Sequence, residues 1–441
     1  MDAALSPGFS QAPLPRETDV AIIGGGIVGA ATALALAHRG LRVLLCEKGT
    51  VGAEQSGRNW GFIRTVGRAR AELPLALASR PLWQAAAARA AFGYRECGYV
   101  SLAANPAEMA RQEDWLQRMA DFAMDARPVA ARSLAALLPG LRGNWAGATY
   151  SPLDACAEPA AATRAFAARA AAAGAEIREG CAVRGLDLIG GRIGGIVTEA
   201  GRVACAGVVL AAGAWSRRFA FNAGLSLPQL QVLGSVCRVE GARDLPDAIV
   251  SAAGFSFRRR QDGSHTLAQR GTSVTDIVPD TLRLFTAFLP AFRRQWRHLR
   301  LRLGRRFLEE ARMPRRFAAD RASPFETVRI LDPAPVADIL ATALANARAA
   351  FAGFGPARIV ESWAGMIDAT PDELPILGPH AGLPGLFIAT GFSAHGFGIG
   401  PAAGHLMADL LSGAHPIVDP APFRLERFAR FAPRPAPETR A

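Results

Sequence analysis

Lysine is almost missing from this chain. Lys48 is the only one among 50 basic residues, so 49 are Arg. Arg stays protonated in proteins and serves neither as a base nor as a Schiff-base partner. Any chemistry that needs a lysine therefore rests on Lys48. Cysteine is sparse as well. Cys46, Cys97, Cys156, Cys181, Cys205 and Cys237 form no C-x-x-C pair, which argues against a zinc ribbon or a thioredoxin-like site. No metal site is expected. Scattered single cysteines suit a reducing cytosol, so a cytoplasmic location is expected. Long apolar runs are few. Val20 to Ala37 approaches spanning length, but Gly24, Gly25, Gly26 and Gly29 interrupt it, and no transmembrane segment is expected. Met1 to Glu17 has neither a basic n-region nor an apolar core and reads as a loose leader rather than a signal peptide.

What remains is ordinary globular material, 50% hydrophobic and 20% charged over 441 residues. That balance excludes disorder, collagen and coiled coil as the main architecture, and at about 100–200 residues per domain it predicts two to four domains. Net charge is +12. Arg293 to Arg306 is dense in Arg, with Trp296, Leu299, Leu301 and Leu303 interleaved. The reading taken is a solvated helix with its opposite stripe packed inward, with a surface for an anionic partner or a membrane face as the alternative.

Asp19 to Ile23 and Arg42 to Cys46 are of strand length, apolar on both faces, and flank an Ala- and Leu-rich helix that Gly40 stops. Further strands are expected at Tyr99–Ala103, Val183–Ile189, Gly195–Glu199, Val203–Leu210, Gln229–Val239, Gly254–Arg260, His265–Gln269 and Leu386–Thr390. Helices are expected over 71–91 with a break near Pro81, and over 108–126, 159–173, 282–292, 336–348 and 401–412.

Gly24-Gly-Gly26-Ile27-Val28-Gly29 follows the first strand and opens the first helix. Gly24 permits a tight turn, Gly26 lets backbone approach a pyrophosphate, and Gly29 lets the helix lie close to the strand. The helix N-terminus offers free N–H groups and the positive end of a dipole. Glu47, with Lys48 after it, closes the second strand 18 positions beyond Gly29, where a carboxylate accepts from a ribose diol and repels a 2′-phosphate. A second glycine-rich strand-to-helix turn, Gly391 to Gly400, precedes Pro401, which suits a first helical turn. Such a helix end stabilises the negative charge that a flavin's pyrimidine edge gains on reduction.

These marks, with Ser56-Gly-Arg58-Asn59-Trp60-Gly61, Leu210-Ala-Ala-Gly213-Ala-Trp215 and Thr370-Pro-Asp372, resemble the D-amino acid oxidase superfamily. That group includes glycine oxidase, sarcosine oxidase and the D-amino acid dehydrogenases. The resemblance runs from about Thr18 to Ser412. It implies an α/β fold: a Rossmann-like FAD-binding domain (15–92, 150–222 and 358–415) and a second α+β substrate domain on a mixed sheet (93–149 and 223–357), with flexible ends at 1–14 and 431–441. It implies FAD at Gly24, Gly26, Ile27, Val28, Gly29, Glu47, Lys48, Ser56, Arg58, Asn59, Gly61, Val183, Gly213, Trp215, Gly396, Gly398 and Ile399.

Departures from the family pattern sharpen the expectation. The segment Trp363 to Asp368 holds no Cys, so FAD is expected to be non-covalent. Ile367 and its neighbours offer no Arg for a substrate carboxylate. Gly398 and the Gln269–Arg270 region stand where sarcosine-oxidase-like members keep Lys, so a dehydrogenase gains ground on an oxidase. Arg64 matches the place of a carboxylate-binding Arg, and His395 is positioned to orient substrate or steer flavin protonation. Trp60, Trp363 and Phe397 are candidate pocket walls, and Glu361 and Asp368 candidate partners for an ammonium. The expected reaction oxidises the C–N bond of an amino acid or N-substituted amino acid. The alternatives are a redox subunit of a larger complex and a flavin monooxygenase. The expected partners are a small amino acid or amine and an acceptor (oxygen, quinone or protein). No nucleic acid is expected, while peripheral membrane contact is allowed.

Overall fold

The computed structural model describes residues 9, 10 and 12–431. Strands Val20–Ile23, Val43–Cys46 and Gly207–Leu210 are buried at every position. Strands apolar on both faces need helices above and below, and parallel pairing with helical crossovers supplies them. They form a six-stranded sheet in the order Ile376–Pro379, Leu386–Thr390, Gly207–Leu210, Val20–Ile23, Val43–Cys46, Glu176–Arg178. All pairs are parallel except the first. Helix Ile27–Ala37 packs between helices Pro159–Ala172 and Gly396–Ser412.

A second, ten-stranded mixed sheet is centred on Leu230–Glu240, which pairs antiparallel along its length with Arg358–Ala369. Helix Ala337–Ala350 covers it, and Phe255, Phe257, Phe351 and Phe354 fill the space beneath. The architecture is thus the expected α/β one, a Rossmann-like sheet beside a mixed sheet. A three-stranded meander, Val183–Ile189, Arg192–Thr198 and Gly201–Ala204, stands apart from both.

Several local expectations differ from what is found. Helix Leu73–Ala87 runs through Pro81 without a break, because Leu73, Leu75, Trp83 and Ala86 are buried on both sides of it. The closing helix starts at Gly396, so Pro401 lies inside it rather than at its first turn. The ladder it disturbs is repaired from the neighbouring helix: the Gly398 carbonyl accepts from Trp83 Nε1 at 2.9 Å, and the Ala402 N–H donates to Ser79 Oγ at 3.1 Å. The run 203–210 splits into two strands in different sheets. The helix expected over 108–126 ends at Arg118. The boundary expected at 358 falls at the start of a strand that pairs in the larger sheet. The Arg-rich stretch 293–306 is not one solvated helix: helix Phe285–Gln295 ends, a 3-10 turn spans Trp296–His298, and Leu299–Arg302 pairs as an edge strand, parallel to Ser273–Asp276. The expected leader makes contacts at Phe9, Ser10 and Pro13: Phe9 is buried, and Arg178 donates to the carbonyls of Ser10 and Pro13. Residues 1–8, 11 and 432–441 of the expected flexible ends lie outside the described residues.

Candidate active site

An elongated cavity of about 430 Å³ runs from the first glycine turn to the start of the closing helix. At its first end Gly24 takes φ +109, and a Cβ there would lie 2.5 Å from the Ala211 carbonyl oxygen. At Gly26 a Cβ would lie 2.9 Å from Ser56 Oγ. Ser56 Oγ accepts from the Ile27 N–H at 2.9 Å, and the N–H groups of Val28 and Gly29 have no partner among the described residues. An uncapped helix start facing a hollow that a side chain would fill suits an anion such as a pyrophosphate. Glu47 lies half-buried beside it. Its carboxylate accepts from Gly25 N at 2.7 Å and Gly49 N at 2.8 Å, and each oxygen retains capacity for a ribose hydroxyl. Burial outweighs these bonds and raises its pKa. The residues present fit a dinucleotide of the FAD type.

At the far end lie His395 and Gly396. His395 Nδ1 is 2.9 Å from the carboxylate of Glu72, which is fully buried. Arg68, itself 2% exposed, pairs with the same carboxylate at 3.4 Å. Burial pushes the Glu72 carboxyl up, but His395 and Arg68 outweigh it and hold it at about 2. An ionised carboxylate only accepts, so Nδ1 carries the proton and Nε2 is the remaining ring nitrogen. Burial, then Arg68, holds the His395 pKa below its ordinary value, so the ring is neutral at pH 7.

Two more cations line this end. Arg64 lies over the Tyr99 ring at 5.7 Å and donates to the Val66 carbonyl. Arg270 donates to Ser101 Oγ at 3.2 Å and Ser251 Oγ at 3.3 Å. Neither has a carboxylate within ion-pair distance among the described residues. Burial alone would raise the Tyr99 phenol, yet Arg270 and Arg64 hold it below its ordinary value.

Most candidate residues meet on this one cavity: Gly24, Gly26, Ile27, Val28, Glu47, Lys48, Ser56, Arg58, Asn59, Arg64, Val183, Gly213, Trp215, His395 and Gly396 all line it. Gly29, Gly61, Gly398 and Ile399 do not. Gly29 is a packing glycine, since a Cβ would lie 2.1 Å from the Gly24 oxygen. Gly61 makes room for the Arg258 guanidinium, and Ile399 is core. The Arg58 guanidinium is held by Asp332 and the carbonyls of Ala53 and Ala364. Lys48 bonds Glu54 at 2.7 Å beneath Trp215. The two candidate ammonium partners already have partners within the protein, and of the two only Asp368 lines the cavity. Glu361 is exposed and pairs with Arg238 at 3.2 Å. Asp368 is buried, accepting from Gln229, Thr390 and Gly391. Trp60 and Phe397 line the cavity, whereas the Trp363 indole donates to the Arg58 carbonyl. Sequence reasoning missed Arg68, Glu72 and Tyr99. The i, i+4 spacing of Arg68 and Glu72 signals an ion pair, but nothing local shows that it meets a histidine 323 positions away.

A βαβ glycine turn, an acid closing the second strand, and a cavity joining both to a second helix start define a flavin-dependent oxidoreductase. The chain belongs to the DAO family of FAD-dependent oxidoreductases, whose pattern matches residues 19–410. It is 28% identical over 420 residues to the glycine oxidase of Pseudomonas putida, covering 92% of this chain and 98% of that one. The structure of an L-amino acid deaminase from Proteus myxofaciens, solved in complex with anthranilate, superposes with a TM-score of 0.92 at 34% identity over 97% of each chain. That of the Proteus vulgaris L-amino acid deaminase gives 0.90 at 28% identity, covering 96% of this chain and 99% of that one. The chain is therefore an FAD-dependent oxidoreductase of this family. Among the described residues no helix is long and apolar enough to cross a membrane.

Proposed function

We propose that the protein oxidatively deaminates an L-amino acid with an apolar side chain, giving a 2-oxo acid and ammonia, with FAD bound non-covalently. The observation that carries this reading is the pair Arg64 and Arg270, guanidinium groups on the cavity wall with no carboxylate of their own among the described residues. A planar fork suits a substrate carboxylate. Trp60, Phe62, Leu233 and Ile367 supply an apolar wall around it. The kinship to two L-amino acid deaminases, one solved with an aromatic amino-carboxylate, supports the same choice.

FAD, when bound, accepts the hydride from the carbon next to nitrogen. This chain's own residues bind and orient. Gly24, Gly26, Ile27, Val28 and Ser56 would hold the pyrophosphate, Glu47 the ribose, and Val183, Gly213, Trp215 and Gly396 would line the remainder. Arg64 and Arg270 fix the carboxylate and so the α-carbon. His395, neutral at pH 7 and fixed by Glu72, adds no positive charge where an amine must enter unprotonated. The six cysteines, all free, support a reducing compartment.

The test is anaerobic mixing of the FAD-loaded protein with L- and D-amino acids, glycine and sarcosine, watching the flavin band bleach. Apolar L-amino acids are expected to bleach it. Arg64→Ala and Arg270→Ala are each expected to weaken substrate binding by about 10–100-fold, the worth of a charge-assisted hydrogen bond. Bleaching by glycine or D-forms alone, or unchanged affinity in both variants, would overturn the reading.

A further inference from the structure

Two cysteines that are distant in sequence meet in space. Cys97 and Cys156 are 59 positions apart, and their Sγ atoms are 3.6 Å apart. A small sheet brings them together. Strand Ala155–Cys156 runs antiparallel to Phe62–Ile63 on one side and to Arg95–Glu96 on the other. Arg95 stands opposite Cys156. Cys97 follows two residues later, and the Gly98 N–H beyond it donates to the Asp154 carbonyl at 2.8 Å. Period-two alternation therefore returns Cys97 to the Arg95 face, as a diagonal neighbour of Cys156.

The surroundings suit thiolate chemistry. The Cys97 S–H donates to Cys156 Sγ, and Arg95 Nη2 donates to the same sulfur at 3.8 Å. The bond from Cys97, then the Arg258 and Arg95 guanidinium charges, lower the Cys156 thiol to about 7 against the effect of burial. The same bond pushes Cys97, the donor, up. Burial pushes the Cys205 thiol up to about 11 and the Cys237 thiol up to about 12, which leaves them inert. Cys97 is also the one cysteine of the six that is not fully buried, so it opens the pair to small solutes. Cys46 and Cys181 touch as well, but both are buried, and Cys46 lines the part of the cavity fitted to the cofactor.

The pair sits behind the cavity wall. Both cysteines pack in one small cluster with Val66, Tyr99, Ile249 and Phe62. Phe62 lines the cavity and is the strand partner of Cys156, while Tyr99 lies under the Arg64 guanidinium. We propose that Cys97 and Cys156 form a dithiol–disulfide site that hydroperoxides oxidise, and that the disulfide stiffens the Phe62–Tyr99 wall. The inference does not rest on the substrate reading above. Cys156, as thiolate, attacks a peroxide oxygen. The O–O bond breaks, Cys156 becomes a sulfenic acid, and hydroxide leaves and takes up the proton that Cys156 released on ionising. Cys97 Sγ then attacks the sulfenic sulfur. The S–S bond forms, the S–O bond breaks, and the Cys97 proton leaves with that oxygen as water. With hydrogen peroxide, two thiols give one disulfide and two waters: the sulfurs lose two electrons and the peroxide gains them. The new bond pins strand Ala155–Cys156 to the segment that leads into Tyr99.

The test uses the FAD-loaded full chain, first reduced, then treated with hydrogen peroxide in the absence of amino acid. The thiol count after denaturation is expected to fall by two. Peptide mapping should find Cys97 joined to Cys156 and the other cysteines free, and dithiothreitol should restore both thiols. Amide exchange over residues 61–66 and 97–102 should slow in the oxidised form. Cys97→Ser and Cys156→Ser should each lose the crosslink, whereas Cys205→Ser should form it as the parent does. Arg95→Gln removes a cation from beside Cys156, so crosslinking should slow severalfold at neutral pH and less at alkaline pH, where thiols ionise unaided. All variants should keep their FAD content. A crosslink between Cys46 and Cys181 instead, oxidation of single cysteines without a crosslink in the parent, or unaltered exchange beside the crosslink would each overturn the proposal.

Discussion

At the scale of single residues, the far end of the cavity is a set of buried charges that hold one another. Glu72 is ionised inside the protein because Arg68 and His395 flank it. Removing one partner of a buried pair leaves the other uncompensated. Glu72→Ala strands Arg68, whose own pKa burial already lowers to about 10, and is expected to cost about 3–5 kcal/mol in denaturant unfolding. Glu72→Gln keeps the shape and loses the anion. Glu72 raises the His395 pKa against the effect of burial, so the Gln variant should move the His395 titration to still lower pH. Histidine-selective NMR across the titration reads this directly. An unmoved midpoint would mean that Glu72 serves Arg68 alone. Because His395 is held below its ordinary value, it favours the folded state above that value and opposes it as pH falls. The loss of stability with acid should therefore be smaller in His395→Asn, checked by thermal unfolding at neutral and mildly acidic pH.

At the scale of elements, close helix packing rests on absent side chains. Helix Gly396–Ser412 crosses helix Ile27–Ala37 at Gly404, where a Cβ would lie 2.6 Å from both Ala31 Cβ and Thr32 N. Backbone cannot yield there as a flexible side chain would. Gly404→Val is expected to lower stability by at least about 1–3 kcal/mol, the ordinary cost of overpacking, and to reduce FAD retention, since the same crossing sets the spacing of both helix starts on the cavity. A lower Tm with full FAD occupancy would separate packing from cofactor geometry. What could be read from the sequence follows the same division. The βαβ unit was legible because its turn, its two-faced apolar strands and Glu47 are all local in sequence. Helix starts were less so. The closing helix begins five residues before Pro401 because Trp83 and Ser79, on a distant helix, satisfy the groups that Pro401 disturbs. Strand Arg358–Ala369 was hidden because one half is exposed and the other buried, leaving no alternation to read. The site was legible where glycine chemistry marked it and illegible where it depends on contacts such as Glu72 with His395.

At the scale of the whole molecule, a charged clamp ties the two sheets together near the cavity. Arg258, on a strand of the mixed sheet, is 1% exposed and reaches across to Glu158 at 2.8 Å and the Trp60 carbonyl at 2.7 Å. Glu158 begins helix Pro159–Ala172, which packs on the parallel-sheet side, and Trp60 lines the cavity. The guanidinium thus ties cavity wall, helix start and mixed sheet together. Burial pushes the Glu158 carboxyl up, but Arg258 and Arg260 outweigh it and hold it below the ordinary carboxylate range. A carboxyl depressed in the folded state adds stability above its unfolded pKa, and that stability is lost as pH falls through the folded value. Glu158→Ala should therefore cost about 3–5 kcal/mol at neutral pH by leaving Arg258 buried and unpaired. The Tm gap between parent and variant should close as the solution is acidified below the ordinary carboxylate range. A gap that stays constant with pH would show that the loss comes from the helix start and not from the ion pair. A loosened clamp would also free the Trp60 wall, so weaker binding of bulky apolar substrates should accompany the lower Tm, with glycine the least affected.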